Sequence, residues 1–321
     1  MGCTVNRLAA VLLLCLALPA AAGKADPAAV RAAVIDIANG QGVAGALSRL
    51  DFMGAGGQAC DALVPVVLRG DVKARRNAAE AFARFAEPRH VQALLVLAED
   101  MDVSLRVAAA KGLGHAKLDH PALRQALGDK ALGVRREAAR ALGALKSADA
   151  GKALLEAAGT EAEPEVREAM LVAATAAPFP GLPAKLEGYL HHSSETTRMA
   201  AARALCLLGA APGLAVASEK LGSESRYDRR DGVLLLEGAP LKASGPLLRP
   251  LLAAKPPDYA LAAPAARVLA QAGDERAREW LVLRANDASG AAVAPLLDAI
   301  EALKVTDEDR QRILRKNLIV P

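Results

Sequence analysis

The chain has 321 residues, with 40 basic and 36 acidic side chains, a formal net charge of +4 and only 2% aromatic residues. So slight a positive excess over this length gives no sign of a nucleic-acid footprint, which would be a clustered basic stripe. Sustained alternation of β-branched and polar residues is missing, and alanine, the strongest helix former, is abundant, so the chain reads as all-α.

Residues 1–22 carry one charge, Arg7, ahead of an unbroken apolar run from Leu8 to Leu18. Pro19 leads into Ala20, Ala21 and Ala22. A basic start, a short apolar core and a small-residue site predict a secretory signal peptide cleaved after Ala22, with Ala25 as the second choice. Eleven apolar residues fall short of the roughly 20 that span a bilayer. The expected location is therefore periplasmic or secreted. Without residues 1–22 the chain holds 39 basic and 36 acidic residues, a net of +3. No later segment predicts a membrane span.

Residues 23–56 predict an N-terminal helical cap, with an imperfect helical pair at 27–53 closed by Gly54-Ala55-Gly56-Gly57. A regular array follows over 57–303. Arg75, Arg106, Arg135, Arg167, Arg198 and Arg229 recur with gaps of 31, 29, 32, 31 and 31 residues. A fixed period of this size marks a stacked repeat, which grows without one closed core. With Arg135 as position zero, Val134, Ala138, Ala139, Ala141 and Leu142 fall at −1, +3, +4, +6 and +7, one face of a helix. Leu105, Ala109, Ala110, Gly112 and Leu113 hold the same slots one unit earlier. Ala74, Ala78, Ala79, Ala81 and Phe82 hold them before that.

Each unit also has a first helix, predicted at 59–68, 91–97, 121–127, 150–157 and 183–190. Asp71, Asp102, Ser194, Ser225 and Asp258 stand where second helices start and can cap them. Pro178, Pro180, Gly181 and Pro183 make the sharpest interruption. Units at 242–272 and 274–303 keep the helical pattern, with Ala262 in place of the arginine. Residues 304–321 predict a C-terminal capping helix that opens at Thr306-Asp307-Glu308-Asp309.

The phrase Val134-Arg135-Arg136-Glu137-Ala138-Ala139-Arg140-Ala141-Leu142-Gly143 resembles HEAT repeats, in the bacterial form shared with phycobilisome-lyase HEAT-like proteins. The similarity covers roughly residues 57–240. It implies an α-solenoid of about seven to eight stacked antiparallel helix pairs. It also implies that the arginine ladder bonds carboxylates or carbonyls at turns between units, a structural task suited to the rigid guanidinium fork. In proteins of this kind the second helices line a concave surface. The variable positions +1 and +5 would then present Arg76, Glu80, Lys111, Arg136, Arg140, Arg203 and Arg230 to a protein partner, possessing on balance the charge to receive an acidic segment.

Chemistry-bearing motifs are sparse. His90, His115, His120, His191 and His192 include no pair three or four apart, so no helical metal site is expected. GxSxG and GxxxxGK[ST] are missing, and Gly54–Gly57 lacks a preceding strand. Glu99-Asp100-Met101-Asp102 reads as a turn and not as a calcium loop. No cofactor and no catalytic residue are expected. Cys60 and Cys206 remain after the signal segment. They lie four units apart, roughly 40 Å at about 10 Å per helix layer, whereas a disulfide needs Cα atoms within about 7 Å. Both are expected free. The resulting expectation is a non-catalytic, exported protein-binding scaffold. The alternatives are a lyase-like or chromophore-attachment accessory factor and a structural cell-envelope component.

Overall fold

The computed structural model describes residues 26–318, so the predicted signal peptide lies outside the described residues. Nineteen α-helices and no strand occur among them. They run α1 Pro27–Asn39, α2 Val43–Met53, α3 Gly56–Arg69, α4 Val72–Phe85, α5 Val91–Ala98, α6 Val103–His115, α7 Pro121–Ala126, α8 Leu132–Leu145, α9 Ala148–Thr160 and α10 Pro164–Ala176. Then come α11 Leu182–Gly188, α12 Glu195–Leu207, α13 Ala211–Leu221, α14 Arg226–Leu235, α15 Leu241–Ala253, α16 Tyr259–Gln271, α17 Glu275–Asn286, α18 Val293–Ala302 and α19 Asp307–Leu318. Between α3 and α18 they form eight consecutive helix pairs, the α-solenoid arrangement read from the period.

The chain divides into two compact units, one ending at Phe179 and the other beginning at Pro180. The division falls inside the proline-rich stretch where the sequence shows its sharpest interruption. Proline has no N–H and disfavours helix in the residue before it, so Pro178, Pro180 and Pro183 interrupt helical continuity there.

In the first unit, α4, α6, α8 and α10 pack side by side as a row of second helices, each paired with its own first helix, α3, α5, α7 and α9. The stripe found in the sequence is the buried face of this row. Leu105, Ala109, Leu113, Val134, Ala138, Ala139 and Leu142 are all essentially inaccessible. Alanine at these slots lets helix axes approach closely, and two glycines bring them closer. A Cβ on Gly114 would stand 2.7 Å from the Ala141 Cβ, and one on Gly143 would stand 2.9 Å from the Ala173 carbonyl oxygen. Both occupy slot +8 and meet slot +6 of the following second helix, so the same contact repeats along the row. The terminal pair α1/α2 departs from the pattern, because α1 lies against both α3 and α4.

Gly56 and Gly57 open α3 and do not sit in a linker, contrary to the expected closing loop. A Cβ on Gly57 would fall 1.8 Å from Glu87 Oε1, and one on Gly56 would fall 2.3 Å from the Phe85 ring. The glycines make room for the turn after α4, which extends the helix by three residues at its start.

In the second unit the second helices are α12, α14, α16 and α18, and α16 packs on α14, α15, α17 and α18. Asp228 replaces the apolar residue at slot −1 of α14, yet Gly232, Val233, Leu235 and Leu236 still fill the buried slots. Asp228 instead bonds Lys220 Nζ at 2.6 Å and Ser223 Oγ at 3.1 Å. The Thr306 hydroxyl caps α19 by accepting the Asp309 N–H at 3.1 Å, and α19 closes the unit by packing on α17. All five proposed cap residues accept first-turn amides, among them Asp102 from Ser104 at 2.8 Å and Asp258 from Ala260 at 3.1 Å.

The close approach at slot +8 gives a direct test. Gly143→Ala is expected to lower stability by about 1–3 kcal/mol through overpacking. Gly133→Ala, in the same helix with its nearest neighbour 3.9 Å away, is expected to be neutral or stabilising by up to about 1 kcal/mol through helix propensity. Urea denaturation of both variants checks the contrast, and equal effects would contradict the packing account.

Candidate functional site: the arginine ladder and the second-helix surface

Every ladder arginine stands four residues after the N-cap of its helix. Helical side chains lean toward the N-terminus, so a long one folds back over the turn that precedes its own helix. Arg106 Nη1 therefore donates to the carbonyls of Asp100 and Met101, at 2.9 and 3.0 Å. Arg135 Nη1 reaches those of Asp129 and Lys130, at 2.9 and 3.3 Å. Arg198 reaches those of His192 and Ser193, both at 2.9 Å, and Arg229 those of Ser223 and Glu224, both at 3.0 Å.

The other edge of the fork points to the next repeat. Arg106 Nε and Nη2 donate to both carboxylate oxygens of Asp129, at 2.6 and 2.9 Å. Arg135 does the same to Glu161, at 2.7 and 3.0 Å. Arg75 pairs with Asp100 and also donates to the Val67 carbonyl at 3.0 Å. Arg167 donates to the Glu161 carbonyl and to that of Ala158. One acidic residue thus takes one arginine on its carboxylate and the following arginine on its carbonyl, which makes a continuous chain from Arg75 to Arg167.

Asp100, Asp129 and Glu161 each stand two residues before an N-cap position. Each also accepts the N–H two residues on, at 2.8, 2.7 and 2.9 Å. This acid slot was the signal that the arginine spacing alone did not provide. The same slot holds His192, Ser223 and Pro256 further along the chain. His192 Nδ1 and Ser223 Oγ still accept the N–H two residues on, at 3.0 and 3.1 Å, but neither is a carboxylate.

The Arg106 fork holds the Asp129 carboxyl below the usual carboxylate range, against the opposing effect of burial. Burial acts most strongly on Glu161 and would raise it, but Arg135 and the amides of Glu163 and Ala162 together outweigh that and lower it.

The surface candidates are distributed unevenly. Glu80, Lys111, Arg136, Arg140 and Arg230 are exposed. Glu80 and Lys111 face one shallow depression with Asp51, Arg84, Phe85 and His115. Arg136 and Arg140 project from α8, and Arg140 keeps only a 3.6 Å contact with Glu137. Arg76 is committed to Asp102, with Nε 2.6 Å from Oδ2. Arg203 is half-buried on α12, which separates it from the exposed set. Its slot lies closer to the helix packing than the pattern of α8 suggests. Arg230 lies on α14 in the second unit, beside a separate groove.

Cys60 and Cys206 are buried and free. Burial pushes the Cys60 thiol up, helped by Asp61 and Glu87, and pushes Cys206 up to about 12. Neither environment favours a thiolate. His90 is the one buried histidine among the described residues and is bonded to Asp61, the sequence neighbour of Cys60. Its Nδ1 accepts the Glu87 N–H at 2.9 Å, so Nε2 carries the proton and donates to Asp61 at 2.8 Å. With its lone pair engaged, His90 closes a turn and is not placed as a base. Arg89 completes this knot by a bidentate pair with Asp61, at 3.0 and 3.1 Å. Among the described residues no group of three or more His, Cys, Asp or Glu is arranged to hold a metal ion, and no single helix is long and apolar enough to cross a membrane.

Residues 96–175 match the family model described as HEAT repeats. No curated protein matches the chain. Similar solved structures include the complex of CpcE and CpcF of phycocyanin lyase from Nostoc, at 20% identity and a TM-score of 0.47, covering 76% of this chain and 94% of that one. YibA from Escherichia coli is similar at 18% identity and a TM-score of 0.42, over 77% and 92% of the two chains. Human deoxyhypusine hydroxylase is similar at 20% identity and a TM-score of 0.32, over 79% and 98%.

Two measurements test the ladder. Arg135→Ala removes four charge-assisted bonds and is expected to cost on the order of 1.5–3 kcal/mol, whereas Arg140→Ala should stay within about 0.5 kcal/mol; urea titrations compare them. The second is acid sensitivity. Asp129 and Glu161 titrate below their ordinary 3.8 and 4.5 when folded. The unfolded chain therefore binds more protons in that range, and stability falls as pH drops through about 4.5 toward the folded values. Melting temperatures from pH 7 to 3 should fall less steeply for Asp129→Asn and Glu161→Gln than for the wild type.

Proposed function

We propose that this chain, which matches HEAT repeats over residues 96–175 and folds as an all-α repeat protein, is a non-catalytic scaffold that docks another protein on the second-helix surface of its first unit. The observation that carries this reading is a division of labour among arginines. Arg75, Arg106 and Arg135 are consumed by the ladder. Arg136 and Arg140, one and five positions on, project from the same helix with nothing in the fold that requires their charge. Lys111 adds a third positive group one repeat earlier. An acidic segment laid across α6 and α8 would meet these three charges, and electrostatic matching of this kind raises association rates and sets register. Export by residues 1–22 would place the encounter in the periplasm or outside the cell.

A lyase-like or chromophore-attachment role asks for a reactive group. Cys60, Cys206 and His90 are poor carriers for it, for the reasons of burial and bonding given above.

The test is charge reversal. Lys111→Glu, Arg136→Glu and Arg140→Glu are combined in one protein, which should melt within a few degrees of the wild type because none of the three touches the apolar stripe. Both proteins are immobilised and exposed to an envelope extract. The expected result is a stoichiometric partner retained by the wild type and lost by the variant. Equal retention by both would move the docking surface elsewhere. A wild type that retains nothing stoichiometric would favour a structural envelope component.

A further inference from the structure

The ladder has an open rung, and it faces a groove. Arg229 uses Nη1 on the carbonyls of Ser223 and Glu224, as Arg135 does on its own turn. Among the described residues no carboxylate pairs with its Nε and Nη2. The reason is legible in the register: the slot that supplies Asp100, Asp129 and Glu161 to the earlier arginines holds Pro256 here.

Arg229 lines a groove of about 430 Å³ between α14, α16 and α18, all second helices of the second unit. Arg226, Arg230 and Arg267 line it too, against Asp258 and Asp298. Arg267 is already paired with Glu237 at 2.7 Å, and Asp258 is occupied in capping α16. With that ion pair counted as neutral, Arg226, Arg229 and Arg230 face two aspartates, Asp298 and Asp258, which keeps its charge while capping, so positive charge exceeds negative in the groove. Its walls are apolar, formed by Val233, Leu261, Pro264 and Pro295, with Leu234 partly exposed at 41% and Tyr227 at 83%. Pro264 lies inside α16 and has no N–H, so the carbonyl of Ala260, which also lines the groove, lacks its usual helical donor.

We propose that this groove binds a short acidic–apolar segment of a partner protein, whose aspartate or glutamate completes the Arg229 rung from outside the chain. Arg106 and Arg135 show what this fork receives when its slot is filled: a carboxylate held through both oxygens. A planar fork selects a carboxylate over an amide by geometry as well as charge. The apolar walls take the neighbouring side chain. Tyr227 and the flanking arginines are of the residue types that concentrate binding energy at interfaces. This surface belongs to the second unit and extends the scaffold reading without using Lys111, Arg136 or Arg140.

The probe is a positional-scanning library of acetylated, amidated octapeptides presented to the full-length protein, with binding of the best sequence followed by fluorescence polarisation. Selection of Asp or Glu at one position, with an apolar residue within two positions of it, is expected. Replacing that acid by its amide should weaken binding to the wild type at least tenfold, a comparison that needs no variant to fold. Arg229→Lys keeps the charge and loses the fork, so it should bind the acidic peptide at least fivefold less tightly and shrink the acid-to-amide ratio. Lys152→Glu, at an exposed position on α9 outside both surfaces, should leave the peptide affinity unchanged. Selection without an acid, no selected peptide at all, equal affinity for acid and amide, or an unchanged ratio in a folded Arg229→Lys would each overturn the proposal. Any of these results, beside a partner lost on reversal of Lys111, Arg136 and Arg140, would remove this groove and leave the scaffold reading standing.

Discussion

The structure of the first unit depends on a guanidinium that is shared between two repeats. Arg106 and Arg135 each clamp the carbonyls of their own turn with one nitrogen and take the carboxylate of the next turn with the other edge, and Arg75 and Arg167 continue the chain at its two ends. Turn carbonyls between helices have no helical partner, and leaving such groups unbonded in a half-buried place costs stability. A five-donor planar group satisfies them and ties neighbouring repeats together in the same step. Because the acid also accepts an amide of its own turn, the geometry of each turn is specified from both sides. Helix packing then needs only small residues on a regular stripe.

That arrangement separates the residues that maintain the fold from those free for other work. The alanine stripe and the ladder occupy −1, 0, +3, +4, +6 and +7 of each second helix. The glycines at +8, Gly114 and Gly143, fix the spacing to the following helix by excluding a side chain. Positions +1 and +5 fall outside these roles, and in the first unit they carry exposed charge at Glu80, Lys111, Arg136 and Arg140. Charge can vary there at small cost to the fold, which is the property a binding surface on a repeat scaffold requires. Arg76 is the instructive exception, since Asp102 claims it while also capping α6.

The titratable groups around Cys60 follow the same economy. Buried His90 and the more exposed Asp61, Arg89 and Glu87 form a connected set of bonds about the turn after α4. Cys60 sits against this set with its thiol held in the protonated form. The glycines at 56 and 57 admit the turn at close range. These residues have the identities of a reactive centre, but their bonding makes them part of the scaffold.

The sequence by itself determined the helical class, the repeat period, the buried stripe and the cap residues. All of these follow from local periodicity and from side chains that act within a few positions of themselves, such as Asp71, Asp102 and Asp258. The arginine spacing also picked out the ladder, and the resemblance to HEAT repeats implied that it joins successive repeats. Only the tertiary structure decided which acids they join to, because Asp100, Asp129 and Glu161 lie 23–26 residues away in sequence. It also decided that Gly56 and Gly57 begin a helix, since the reason is the approach of Phe85 and Glu87 from another element. It withdrew Arg203 from the exposed set and set the boundary between two compact units after Phe179. Burial and pairing depend on which elements meet, and a pattern read along one helix carries no record of its neighbour.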